Sequence, residues 1–359
     1  MMRGVRILGS MPTRSSMRSS FHSSGLARKS SETGGGYMQT GHRSDHRSGK
    51  FLVTGAVGQV GQELVPYLRD LHGAENVIAS DVRSPPQDLY QAGPFQYIDV
   101  LEMTQLSRLV VEENVQCIVH LAAVLSATGE KHPHLALRIN NEGTQNIFEL
   151  ARANNIKIFC PSTIAVFGPT TPRDNTPDDC IMRPTTMYGL TKVHTELLGE
   201  YYHRKFGVDF RSLRYPGVIS SKSMPGGGTT DYAVEIYHEA LKHGKYKCFL
   251  SKDTSLPMIY MPDLLKATIG LMEADPAKLT RRTYNLGAMA FTPADLSDSI
   301  KLEIPEFEML YEPDFRQAIA DTWPKKIDDS EATKDWGWTP DYDVNRMTRE
   351  MLADLKAQA

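Results

Sequence analysis

No stretch of this chain approaches the ~18 consecutive apolar residues a membrane-spanning helix requires, so no membrane partner is expected. Cysteine is scarce: Cys117, Cys160, Cys180 and Cys248 show no Cys-x-x-Cys pair and no regular spacing. Cys117 and Cys160 fall in apolar, strand-like runs, which reads as buried reduced thiols and excludes a disulfide or zinc framework. His132 and His134 have metal-like spacing, but no partners stand at zinc-like intervals, so no metal is expected. Acids are missing from one whole region. None precedes Glu32, while residues 1–31 hold Arg3, Arg6, Arg14, Arg18, Arg28, Lys29 and nine serines. That is the composition of a mitochondrial transit peptide, and a matrix location is expected. Residues 1–49 then read as transit peptide plus a Gly/Ser/His-rich linker. Residues 1–46 carry seven basic and two acidic groups, so without them the formal charge falls from −3 to −8. An acidic body argues against a nucleic-acid partner.

What is present is a rhythm of apolar strands and amphipathic helices. KFLVT runs into glycines and then a helix carrying Val60, Leu64, Leu68 and Leu71 at helical spacing. NVIASD (76–81), FQYIDV (95–100), VQCIVHLAAV (115–124), IKIFCPST (156–163) and VDFRSLRYP (208–216) read as further strands. TQLSRLVVEEN (104–114) and HLALRINNEGTQNIFELARANN (134–155) read as helices between them. Alternation of this kind, with strands apolar on both faces, predicts an α/β fold with a doubly wound parallel sheet of Rossmann type. The expected sheet domain covers 50–216 plus about 257–274. Residues 217–256 and 275–359 break the rhythm and are expected to form a smaller α/β substrate-binding lobe from discontinuous segments.

Gly55-x-x-Gly58-x-x-Gly61 would say little alone. Here it follows a strand, opens a helix with Gln59 and Val60 in its first turn, and has Asp81 twenty residues further on. Glycines at those places let the backbone turn tightly and approach a pyrophosphate lying on the helix N-terminus. The acid suits a ribose diol and repels a 2′-phosphate, which favours NAD over NADP, although Arg83 stands close by.

Tyr-x-x-x-Lys occurs twice, as Tyr188/Lys192 and Tyr201/Lys205. A phenol is a poor base near neutrality, and an ammonium one helical turn away stabilises its phenolate. Both pairs satisfy that spacing. Ser162 and Thr163 end a strand, however, and sites in open α/β sheets lie beyond the strands' carboxyl ends. Tyr188 opens its helix nearby, whereas Tyr201, thirteen residues on, points about 140° away. Tyr188 and Lys192 are therefore the catalytic candidates, with a hydroxyl at that strand end able to steady the substrate oxygen.

TGAVGQVG, RINNEGTQN, PSTIAVFG, TTMYGLTK and the closing KDWGWTPDYDV together resemble the extended short-chain dehydrogenase/reductase superfamily over about residues 50–355. That resemblance implies cofactor contacts at Asp99, Val100, Leu121, Ala122, Ala123, Asn140, Pro216 and Val218, Thr163 as the hydroxyl that steadies the substrate oxygen, and Ser162 in a supporting role beside it. Three further stretches, 213–241, 257–274 and 315–338, resemble the short-chain-type L-threonine 3-dehydrogenases. Membership would imply NAD-dependent oxidation of L-threonine at C3, with Ser126 and Thr186 touching the amino acid. The GGGTTDY stretch, with Thr229 and Thr230, would form part of the cover. Arg214 is open to two readings, a carboxylate fork or an ion pair, and Trp323 to two more, a pocket wall or lobe packing. The superfamily also implies a homodimer built on the Tyr-Lys helix and its neighbour. The competing readings are a sugar-nucleotide epimerase or reductase and a non-catalytic dinucleotide sensor.

Overall fold

The computed structural model describes residues 49–223 and 228–358. The expected transit peptide, all of its linker but Gly49, and Gly226 and Gly227 of the expected cover lie outside the described residues. Seven strands form the main sheet: β1 (Lys50–Thr54), β2 (Val77–Asp81), β3 (Phe95–Tyr97), β4 (Val115–His120), β5 (Lys157–Phe159), β7 (Phe210–Tyr215) and β11 (Thr283–Asn285). They are all parallel, in the order β11-β7-β5-β4-β1-β2-β3, and the two-residue β6 (Ser162–Thr163) pairs with β7. The order reverses between β1 and β4, and that crevice is where such sheets bind ligands.

Strand periodicity explains the two layers. Leu52, Ile78, Ile118 and Ile158 point to one face, where they pack with Leu106, Leu109, Ile147 and Phe148. Their neighbours Val53, Ala79, Val119 and Phe159 point to the other, against Leu64, Leu68, Leu264 and Leu271. Successive strand residues alternate between two helix layers, as side chains with period two must. A third core unites the remaining segments around Tyr232, Tyr237, Leu256, Phe291 and Met351. Its strands form two small sheets. One is β8 (Gly217–Ile219), β10 (Leu256–Tyr260) and β12 (Met289–Phe291), and the other is β9 (Lys245–Cys248) with β13 (Glu308–Tyr311).

Three expectations are corrected. The helix expected over 134–155 contains a π-helical turn at Arg138–Gly143 between Pro133–Leu137 and Thr144–Asn154. The apolar run 115–124 leaves the sheet at His120. The segment 257–274, assigned from sequence to the sheet domain, begins with a strand of the lobe: β10 pairs with β8 and β12. Conversely β11, inside the stretch assigned to the lobe, forms the edge of the main sheet beside β7. Apolar content cannot tell which sheet a short buried strand will join. The described residues form one compact unit, so the lobe is continuous with the sheet domain.

Candidate active site

The cofactor crevice begins where β1 ends. Gly55 has a φ of +72°, and a Cβ there would lie 2.5 Å from the Ala122 nitrogen beyond β4. Gly61 is equally constrained, since its Cβ would meet the Gly55 oxygen at 2.6 Å. The helix Gln59–His72 starts at Gly58 with no side-chain cap, which leaves its first amides for an anion. Asp81, at the end of β2, accepts from the Val57 amide at 2.9 Å and from the Arg83 amide at 3.0 Å. It thus braces the glycine turn as well as ending the strand. Arg83 pairs with it at 3.3 Å while its side chain stays largely exposed. These features fit a dinucleotide: a cradle that only glycine allows, an open helix start and a carboxylate at the ribose position.

Around the crevice, Leu121 donates its amide to the Thr54 carbonyl, so residues 121–123 run directly over the glycine turn. Val100 packs where a Gly143 side chain would be. Asp99 accepts from the Leu101 amide at 2.9 Å, which shapes the turn after β3. Asn140 sits on the π turn and is buried. Its carboxamide bonds both the amide and the carbonyl of Val124 and the hydroxyl of Thr191. Asn140 therefore joins the exit of β4 to the Tyr-Lys helix, a bracing role that its sequence position did not reveal.

The Tyr-Lys helix spans Met187–Phe206 and is capped by the Thr186 hydroxyl, which accepts from the Gly189 amide at 3.1 Å. Gly189 rests on the turn after Thr163: a Cβ there would fall 2.1 Å from the Ala165 oxygen. Close backbone contact thus packs the start of the Tyr-Lys helix on the turn that follows Thr163. The ammonium of Lys192 donates to the Pro161 carbonyl at 2.7 Å and lies 5.8 Å from the Tyr188 ring centroid. Buried His120 faces Lys192 from β4, bonded to Thr54 and Thr144. Burial, reinforced by the Lys192 charge, pushes its imidazole down to about 3, so it is neutral. Tyr188 is half-buried, whereas Tyr201 is 52% exposed and stacks edge-on with Tyr202 and Phe206.

On the substrate side, Ser126 opens the helix Ser126–Lys131, whose Glu130 accepts the Met187 amide at 2.7 Å. Thr230 packs on Gly217, between Pro216 and Val218, and Thr229 is buried next to it. Two candidates, Ser162 and Arg214, are corrected, and Trp323 lies in a cluster that Tyr188 also borders. Ser162 is buried and its hydroxyl donates to Glu196, so it does not face a ligand. Arg214 pairs with Glu196 at 2.8 Å and also bonds the Asp178 carbonyl and Asn285. The ion-pair alternative holds, and no fork is left for a carboxylate. Trp323 is packed in the lobe core, where its carbonyl accepts from Arg173. Cavities of about 270 and 470 Å³ open at the opposite, amino ends of β1, β4 and β5 and contain none of these residues.

Residues 51–287 match the NAD dependent epimerase/dehydratase family. The chain belongs to that family. It is 45% identical over 348 residues to the mitochondrial L-threonine 3-dehydrogenase of Bos taurus, covering 97% of this chain and 89% of that one. It resembles the crystal structure of L-threonine dehydrogenase from Phytophthora infestans, with 57% identity, a TM-score of 0.84, and coverage of 86% and 100%. A GalE-like L-threonine dehydrogenase from Cupriavidus necator in its holo form gives 46%, 0.83, 85% and 99%.

As a member of the epimerase/dehydratase family the protein uses NAD. No group of three or more metal-ligating side chains occurs among the described residues, and no described helix is long and apolar enough to cross a membrane. Sequence reasoning missed Glu196 and Gly189. The first had a signal, since Tyr188, Lys192 and Glu196 repeat every four residues. The second had none, because the atoms against it come from Ala165 and Pro184.

Proposed function

We propose that this protein is an NAD-dependent L-threonine 3-dehydrogenase that oxidises the C3 hydroxyl of L-threonine to give 2-amino-3-oxobutanoate. The observation that carries the reading is the Tyr188–Lys192 pair, set against Thr163 at the carboxyl edge of a sheet whose crevice suits NAD. Around it lies a chain 57% identical to an L-threonine dehydrogenase. Bound NAD supplies the acceptor for the C3 hydride. Tyr188 takes the hydroxyl proton, and the Lys192 ammonium stabilises its phenolate. Thr163 donates to the same oxygen as it becomes a ketone. Ser126 and Thr186 hold the amino acid from the side of the Tyr-Lys helix, and Thr229 and Thr230 hold it from the side of the lobe. Asn140, neutral His120 and the Pro161 carbonyl keep the pair in register.

A mitochondrial matrix location is supported by the acid-free N-terminal composition and by the mitochondrial relative. A homodimer is supported by Leu190, Leu197 and Tyr201, an exposed apolar stripe on the Tyr-Lys helix turned away from Tyr188. Dinucleotide reduction with L-threonine, D-threonine, L-allo-threonine and L-serine, each with NAD and NADP, tests the assignment. L-Threonine with NAD is expected to dominate, Tyr188→Phe to abolish turnover and Tyr201→Phe to spare it. Inactivity with every amino acid, in protein that still binds NAD, would refute the substrate.

A further inference from the structure

Glu196 is a buried carboxylate, 2% exposed, that takes no part in hydride or proton transfer. It stands four residues beyond Lys192 and eight beyond Tyr188, so the three follow one slowly winding stripe of the helix. Its oxygens accept from the Ser162 hydroxyl and from Arg214 at 3.0 and 2.8 Å. Arg214, 5% exposed, also donates to the Asp178 carbonyl at 2.7 Å and to Asn285 at 3.0 Å, and lies 5.3 Å from the Phe167 ring centroid. A buried ion pair contributes little net stability, so stability alone is a weak reason for it. Its placement offers a better one. Lys192 holds the Pro161 carbonyl and Glu196 holds Ser162, so one helix grips two consecutive residues just ahead of Thr163.

We propose that Glu196 and Arg214 are positioning residues with two effects: they anchor the strand that presents Thr163, and they cancel each other's charge beneath the Tyr188–Lys192 pair. This rests on Tyr188 being the base. Cancellation leaves Lys192 as the charge that sets the phenolate's stability. The other titratable or charged groups facing this region are Glu130 at the Met187 amide, His120 and Cys160 beside Lys192, and Asp178, Cys180, Asp179 and Arg281 around Arg214. Burial pushes the Asp178 carboxyl up to about 6, inside the assay range, so the measurements are repeated in an Asp178→Asn background.

The test is the pH profile of kcat/KM for L-threonine. Glu196→Gln leaves the Arg214 charge uncompensated about 12 Å along the helix from Tyr188. A lone positive charge favours phenolate, so the acid limb should move down by about half to one pH unit. Glu196→Gln with Arg214→Met is neutral again and should return the limb to its wild-type place. Ser162→Ala keeps both charges and should lower kcat severalfold with the limb unmoved. An unmoved limb in Glu196→Gln, or a limb still displaced in the double variant, overturns the charge cancellation. Unchanged kcat in Ser162→Ala overturns the anchoring; if Glu196→Gln does not fold, Arg214→Met decides the cancellation instead, since it leaves the Glu196 charge uncompensated and should move the limb up, an unmoved limb overturning it. Turnover retained by Tyr188→Phe would instead sink the base assignment, independently of any limb.

Discussion

Replacing Gly189 by alanine asks whether backbone contact sets the catalytic geometry. The added Cβ would stand 2.1 Å from the Ala165 oxygen and 2.6 Å from the Pro184 Cβ, where ordinary contact begins near 3.4 Å. Neither neighbour is the end of a flexible side chain, so the helix start or the Thr163–Ala165 turn must retreat by more than an ångström. Overpacking of that kind costs about 1–3 kcal/mol of stability. The larger effect is kinetic: a ~1 Å misplacement of catalytic groups costs about 100-fold in rate. The glycine turn proposed to hold NAD packs against Leu121 and Ala122, away from Ala165 and Pro184, so NAD affinity should change little. Steady-state threonine oxidation, thermal unfolding and NAD titration on the same preparation separate these effects. Gly189→Ala protein that is folded, binds NAD normally and keeps kcat within twofold of wild type would refute the claim that this contact sets Tyr188 against Thr163.

Two further outcomes are expected. Because burial raises Asp178 to about 6 from an ordinary 3.8, the native state holds that proton more tightly than the unfolded chain. Stability is therefore lost as pH rises from about 4 to about 6, by roughly 2–3 kcal/mol, and changes no further above that range. Asp178→Asn, whose carboxamide oxygen can still accept the Asn285 amide, should raise Tm more at pH 7.5 than at pH 4.5; an equal or smaller gain at the higher pH contradicts this. Asp81→Ala removes the acceptor for the Val57 amide and frees Arg83. It should weaken NAD at least about tenfold and narrow the preference over NADP, and an unaltered ratio of the two dissociation constants would tell against Asp81 as the selector.

Much of the site was legible because its chemistry is local. The glycine turn, the strand-ending Asp81 and the i, i+4 pairing of Tyr188 with Lys192 each depend on a few neighbouring residues, and helix and strand periodicity carries those short distances. Tyr201 could be set aside by angular position alone, and its exposed place in the structure agrees. The π turn at Arg138–Gly143 was not legible, since its residues suit an ordinary helix equally well. Nor was the exchange of β10 and β11 between sheets, because a three- to five-residue buried strand carries no label for its partner.

The amino-acid sequence by itself determined the alternating α/β plan, the place of the glycine turn and the angular separation of the two tyrosines, all consequences of chain geometry over one or two turns. Tertiary structure decided which polar groups remain available to a ligand. Ser162 and Arg214 both offer polar groups on paper, yet each is committed within the protein: to Glu196, and to Glu196 with Asp178 and Asn285. Buried hydrogen-bonding groups must find partners, and those partners come from segments tens to more than a hundred residues away.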